Sequence, residues 1–279
     1  MLPYAPAPAP VSLESADLEV RALIVNPAED PISILTRSAS PAEKLVAIDA
    51  LHRSLPRAPQ ARRTKVLTAL RGVAASSAEA PAVRAKALTH LGYSVPLVGD
   101  ETAREAAINT LLDATATPYR VFALRGLAPA SHDLPPSVED RVQTVLLDLL
   151  AGTLGAEDRV TSLLALDGFV RAREDLPRRR PDLVAALEMR ILVPIEADPA
   201  AFCAAASGNV RLLMIAVVWH SARNRFSSGE VAAMARINSL LTQLAALETD
   251  PAVKAEIAAF LAAPDPKLLP KIGTRSICR

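Results

Sequence analysis

Five arginines crowd into ten positions, Arg171, Arg173, Arg178, Arg179 and Arg180, with Glu174 and Asp175 among them. A guanidinium is a planar fork that grips carboxylate or phosphate oxygens two at a time, so this group can clamp phosphates or a partner's acidic patch. Its other use is local: loop arginines bond helix-end carbonyls and nearby carboxylates. Arg62, Arg63 and Lys65 form a smaller basic group, without the interleaved aromatics that stacking on bases needs. Trp219, the single tryptophan, lies beside His220 in an apolar run. It packs into a core there or, if it stands on an exposed face, anchors a contact.

The remaining reactive side chains lack the spacing that chemistry requires. His52, His90, His132 and His220 form no His-Glu-x-x-His pair, and none has a cysteine at ligand spacing, so no metal is expected. His52 and His90 fall near predicted helix C-termini, where an imidazolium favours the dipole. Cys203 has no base near it in sequence and Cys278 stands beside the C-terminus; two cysteines make neither a disulfide framework nor a thiolate site. Glu139-Asp140 and Glu157-Asp158 sit at predicted helix starts, where carboxylates complement the dipole. The stretch from Gly152 to Gly155 matches neither glycine pattern that cradles phosphate. Neither an enzyme nor a cofactor is therefore expected.

Composition says what kind of molecule must hold these residues. The chain has 279 residues, 51% hydrophobic and 22% charged, enough to bury a sizeable core. Aromatics make up 3%, and 23 prolines stand against 10 glycines. Alanine and leucine carry the apolar content, which favours helices over sheet. Thirty-one basic residues against 30 acidic give a net charge of +1, so no global field draws the chain to nucleic acid or an anionic membrane. The most apolar run, Leu212 to Trp219, is far shorter than the ~20 residues of a membrane span. The first ten residues have no positive charge and carry Tyr4-Ala-Pro-Ala-Pro-Ala-Pro, unlike a secretory signal; sparse cysteine then suits a reducing cytoplasm.

Ser40-Pro41, Thr117-Pro118, Asp198-Pro199 and Asp250-Pro251 each set a capping side chain before a proline, a recurring helix start. Val138, Val142, Val145, Leu146, Leu149 and Leu150 fall on one helical face, as do Val253, Ile257, Phe260 and Leu261. The pattern predicts helices near 15–25, 41–55, 59–74, 81–91, 100–115, 118–127, 137–151, 156–173, 181–193, 199–207, 209–223, 228–247 and 251–262. No strand-type alternation appears.

Four of these segments share a phrase in which an apolar residue precedes a basic one and a helical stripe follows. Val83-Arg84 leads to Ala87-Leu88 and Leu91, Tyr119-Arg120 to Ala123-Leu124 and Leu127, Val210-Arg211 to Ile215-Ala216, and Val253-Lys254 to Ile257-Ala258 and Leu261. Arg84 to Arg120 is 36 positions and Arg211 to Lys254 is 43, a period that marks stacked helix pairs. The phrase resembles the second helix of HEAT repeats over about residues 40–262. That family tends to carry an aspartate six positions ahead of the basic residue; here Ala78 and Ala114 hold that place, so no regular acid/base ladder is expected.

The resemblance implies an all-α, α-α superhelix, a HEAT/armadillo-like solenoid of stacked antiparallel helix pairs whose second helices line a concave face that binds proteins. The expected organisation is a Pro/Ala-rich tail at 1–13, a solenoid at 14–263 with a bend or hinge at 129–136, and a tail at 264–279. The expected function is a cytoplasmic protein-interaction scaffold, with Arg171, Arg173, Arg178, Arg179, Arg180 and Trp219 as candidate contacts. Two alternatives from the same resemblance stay open: a nucleic-acid-binding protein of the DNA-glycosylase type, and a lyase or chaperone for tetrapyrrole attachment. A protein partner is expected, with no nucleic acid and no membrane insertion.

Overall fold

The structure, a computed structural model, describes residues 29–131, 134–151, 155–171, 175–205 and 207–262. The tails at 1–13 and 264–279, the helix near 15–25, His132, Arg173, Glu174, the Gly152 to Leu154 stretch and Cys278 lie outside the described residues. Within them the fold is all-α, with no strand. The chain divides into two compact units, up to Val145 and from Leu146 on.

The first unit holds α1 (Pro31–Thr36), α2 (Pro41–Ser54), α3 (Gln60–Ala75), α4 (Pro81–Ser94), α5 (Glu101–Ala114), α6 (Arg120–Ala130) and the start of α7 (Pro136–Ala151). Their starts are chemically specified. Ser40 and Glu43 form a capping box, and the Asp30 and Asp100 carboxylates accept from the backbone N–H groups of Ile32 and Ala103. At Thr117-Pro118 the threonine hydroxyl accepts from the Tyr119 N–H (3.2 Å), and the helix begins at Arg120. Consecutive helices pair, α1 with α2, α3 with α4 and α5 with α6; α1 also packs on α3 and α3 on α5, while α2 packs on α4 and α4 on α6. Two rows result. Ile48, Leu51, Leu67, Leu70, Leu88, Leu91, Ile108 and Leu111 fill the space between them and are almost fully buried.

Side-chain bridges join successive pairs. Lys44, the fourth residue of α2, pairs with Glu79 in the turn before α4; Arg84, the fourth residue of α4, stacks over Tyr119, 4.4 Å away, just before α6. Each reaches 35 positions ahead. These are an ion pair and a cation–π contact at successive steps, not a regular acid/base ladder: Glu79 stands five positions ahead of Arg84, and a ring replaces the acid at the next step. Arg63 donates to the carbonyls of Pro56, Ala58 and Leu97, tying together two 3₁₀ turns, Leu55–Arg57 and Val95–Leu97. Arg62 bonds Asp30 through both nitrogens (2.8 and 3.1 Å). These two arginines thus serve the fold.

The second unit centres on α13 (Gly208–Ser227), which is buried almost all round from Val210 to Asn224. It packs against α8 (Ala156–Arg171), α14 (Val231–Leu247) and α15 (Pro251–Ala262), while α12 (Pro199–Ala205) lies on α14. Ser207, Asp198 and Asp250 cap α13, α12 and α15. The stretch from α9 (Leu176–Arg179) through α10 (Pro181–Leu187) to α11 (Val193–Ala197) contains a π-turn, Glu188–Leu192. Pro194 offers no N–H to the helix and its ring crowds the carbonyl four residues back, so the coil widens just before it. Arg211, the fourth residue of α13, repeats the bridge seen in the first unit, bonding Glu248 before α15 through two 2.8 Å contacts.

Candidate functional site

The arginine cluster is largely engaged by its own neighbourhood. Arg180 grips Asp182 bidentately (2.8 and 3.1 Å), Arg179 lies 3.8 Å from Asp175 and Arg171 3.6 Å from Asp167. Arg178 is exposed on α9, and Arg173 lies outside the described residues. Trp219 is 1% exposed, with its ring 5.4 Å from that of Phe260. A tryptophan in that position contributes packing, so it drops out as a surface anchor.

The structure instead gathers rings on the second row of the first unit. His52 on α2 meets His90 on α4 edge to face at 4.6 Å, and Tyr93 lies 5.5 Å from His52 and 6.3 Å from His90. Beside them Asp49 bonds Lys86 (2.7 Å) and stands 3.8 Å from the His90 Nε2. Helical spacing explains the assembly: Asp49 and His52 share a face of α2, as Lys86, His90 and Tyr93 share one of α4, and α2 packs on α4. Tyr93 is 47% exposed. Burial holds the His90 imidazole down at about 4, with His52 adding to the effect, so His90 is neutral and does not act as a dipole-capping cation. The signal was in the sequence. His52 and His90 are 38 positions apart, close to one repeat, which sets them at matching places on successive second helices.

A second polar group is sealed between α8 and α13. His220 Nε2 lies 3.7 Å from Asp167 Oδ1, and both residues are buried. The His220 Nδ1 and Trp219 Nε1 atoms make no hydrogen bond among the described residues. Burial raises the Asp167 carboxyl to about 6 against the pull of Arg171, and burial lowers His220 to about 3, with Arg171 and Arg223 adding to it. The raised carboxyl stabilises the fold fully below its unfolded value near 3.8, and that contribution is lost as pH rises through about 6. The histidine works oppositely: its contribution is present above 6.5 and is lost as pH falls toward about 3. Asp167→Asn should therefore gain stability relative to the native chain between pH 4.5 and pH 8, by about 2 kcal/mol. Urea unfolding at the two pH values checks this; an equal difference at both rules out ionisation of a buried carboxyl.

Cys203, half-buried on α12, has its thiol raised above the ordinary value by burial, reinforced by Glu248, which suits packing and not nucleophilic attack. Among the described residues no group of three or more His, Cys, Asp or Glu is placed to hold a metal ion, and no helix is long and apolar enough to cross a membrane.

No family model matches the sequence, and no curated protein matches it. A solved structure that does match is an engineered protein determined by the Northeast Structural Genomics Consortium. It shares 15% identity and a TM-score of 0.53 over 84% of this chain and 95% of that one. At that identity the likeness concerns the fold alone.

Proposed function

We propose that this chain is a protein-binding scaffold of the HEAT/armadillo type, its helix pairs stacked into a superhelix, with the second-row surface around Tyr93 as the contact face. The observation that carries the reading is the ring cluster of His52, His90 and Tyr93. Rigid amphipathic rings held in place by a packed row are what a partner's side chains bury against at low entropic cost. The forward bridges Lys44–Glu79, Arg84–Tyr119 and Arg211–Glu248 support the stacked arrangement, because each ties one pair to the next. A binding role also fits side chains that, among the described residues, form no acid/base or nucleophile constellation around an open cleft.

The basic residues argue against nucleic acid as the partner. Arg62, Arg63 and Arg180 spend donors on Asp30, turn carbonyls and Asp182, while Arg171 and Arg179 lie 3.6 and 3.8 Å from Asp167 and Asp175. The test compares proteins captured from a host lysate by the native chain, by a His52→Ala/Tyr93→Ala variant and by a Lys254→Ala control. A specific protein should be held by the native chain and the control and lost by the double variant. Capture unaffected by the double variant removes this face, and steeply salt-dependent binding to duplex DNA replaces the reading with the nucleic-acid one.

A further inference from the structure

Two adjoining depressions run along one side of α14. The first, about 200 Å³, has an apolar floor of Val184, Leu187, Leu192 and Val218. The second, about 280 Å³, continues from Arg236 to Leu240 and Gln243. Ion pairs hold the rim: Arg225 with Glu188 (3.1 Å) and Glu230 (2.7 Å), and Arg236 with Glu188 and Glu196. Three carboxylates thus face two guanidiniums, which leaves the rim with an excess negative charge. Next in sequence to rim residues stand Met189, Phe226 and Val231, 66%, 45% and 67% exposed. An apolar groove with such a margin suits an apolar segment that carries basic residues.

The chain carries an occupant with the matching chemistry. α14 and α15 pack together and are joined by three residues, so they form an antiparallel hairpin. With ~1.5 Å of rise per residue, α15 carries the chain back to the level of the N-terminal half of α14, where the first depression lies. After Ala262 the sequence runs through Lys267-Leu268-Leu269-Pro270-Lys271-Ile272, and the segment from 263 to 279 has four basic residues against one acidic. The ten positions from Ala262 to Ile272 reach up to ~33 Å when extended, three times the ~10 Å width of a helix.

We propose that residues 267–272 dock in this groove, with Leu268, Leu269 and Ile272 on the apolar floor and Lys267 and Lys271 against Glu188, Glu196 and Glu230. A segment tethered this closely acts at an effective concentration in the millimolar range, so it excludes weaker apolar, basic peptides from the groove. This goes beyond the binding face on the first unit and is independent of it.

The experiment is carbodiimide coupling of the full chain, which joins an amine to a carboxylate in direct contact, read by peptide mass spectrometry on a mixture of ¹⁴N- and ¹⁵N-labelled chains. Lys267 or Lys271 should be linked to Glu188, Glu196 or Glu230 within single-label peptides. Leu268→Asp with Leu269→Asp should cut the yield about tenfold or more, because both apolar anchors are lost. Links found only in mixed-label peptides would mean that a second copy supplies the segment, and absent links, or links only to other carboxylates, would mean that the groove does not receive it. Any of these overturns the proposal.

Discussion

Gly92→Ala should destabilise the protein by about 3 kcal/mol or more, although alanine is intrinsically the better helix former by about 1 kcal/mol. A Cβ at Gly92 would lie 1.9 Å from the Gly126 carbonyl oxygen and 2.3 Å from its carbon. The reciprocal change meets the Leu88 carbonyl oxygen at 2.6 Å and Leu111 Cδ2 at 2.9 Å. Backbone atoms cannot swing aside as a lysine tip would, so α4 and α6 must separate and the leucines between them lose contact. Gly72→Ala is the matched control: nothing lies within 4 Å of its new methyl, so propensity alone acts and stability should rise by up to about 1 kcal/mol. Urea unfolding of the three proteins reads both signs. A Gly92→Ala chain as stable as the native one would mean that α4 and α6 do not touch at these glycines.

The second large effect belongs to Arg211 and Glu248. Both are buried; two 2.8 Å bonds join them, and the carboxylate also accepts from the backbone N–H groups of Thr249 and Asp250 (2.9 Å each). Burial pushes the Glu248 carboxyl up, but the Arg211 hydrogen bond and those backbone donors outweigh it and hold it below the ordinary value. A depressed carboxyl stabilises the fold above its unfolded value near 4.5, and that contribution is lost as pH falls through the folded value. Arg211→Met leaves a carboxylate buried without its cation and should cost about 3–5 kcal/mol at pH 7, with a smaller deficit in acid. Arg211→Met together with Glu248→Leu removes both charges and should recover most of the loss. If the double variant were as unstable as the single one, the packing of α13 and not the charge would be responsible.

Where the sequence spoke, it did so through local chemistry. Ser40, Asp198 and Asp250 cap helices at the positions their proline neighbours announced, and the last of these starts Pro251–Ala262 as expected. Asp30-Pro31 carries the same signature, yet the six-residue α1 behind it is too short to show an apolar stripe and so went unread. At Thr117-Pro118 the hydroxyl's bond to the Tyr119 N–H favours a turn, which delays the helix by two residues. The π-turn at Glu188–Leu192 depends on how a helix accommodates a proline downstream, which periodicity does not encode.

The site was less legible because it lives between helices. Trp219 drew attention by rarity, but rarity says nothing of exposure, and the surrounding run is buried on every side. His52 and His90 stand about one repeat apart along the chain, but they and Tyr93 become one surface only when α2 lies against α4. Gly92 and Gly126 carry no sequence signal beyond a low helix propensity, yet they are the places where two backbones meet.

In Lys44, Arg84 and Arg211 the donor occupies one fixed place, four residues into its helix, whereas the acceptor is a carboxylate at two joints and a phenol ring at the third. Such a coupling is modular. A donor of constant position accepts any successor that offers it oxygen or π-density, so whole helix pairs can be duplicated, exchanged or lost in evolution while every new seam still closes.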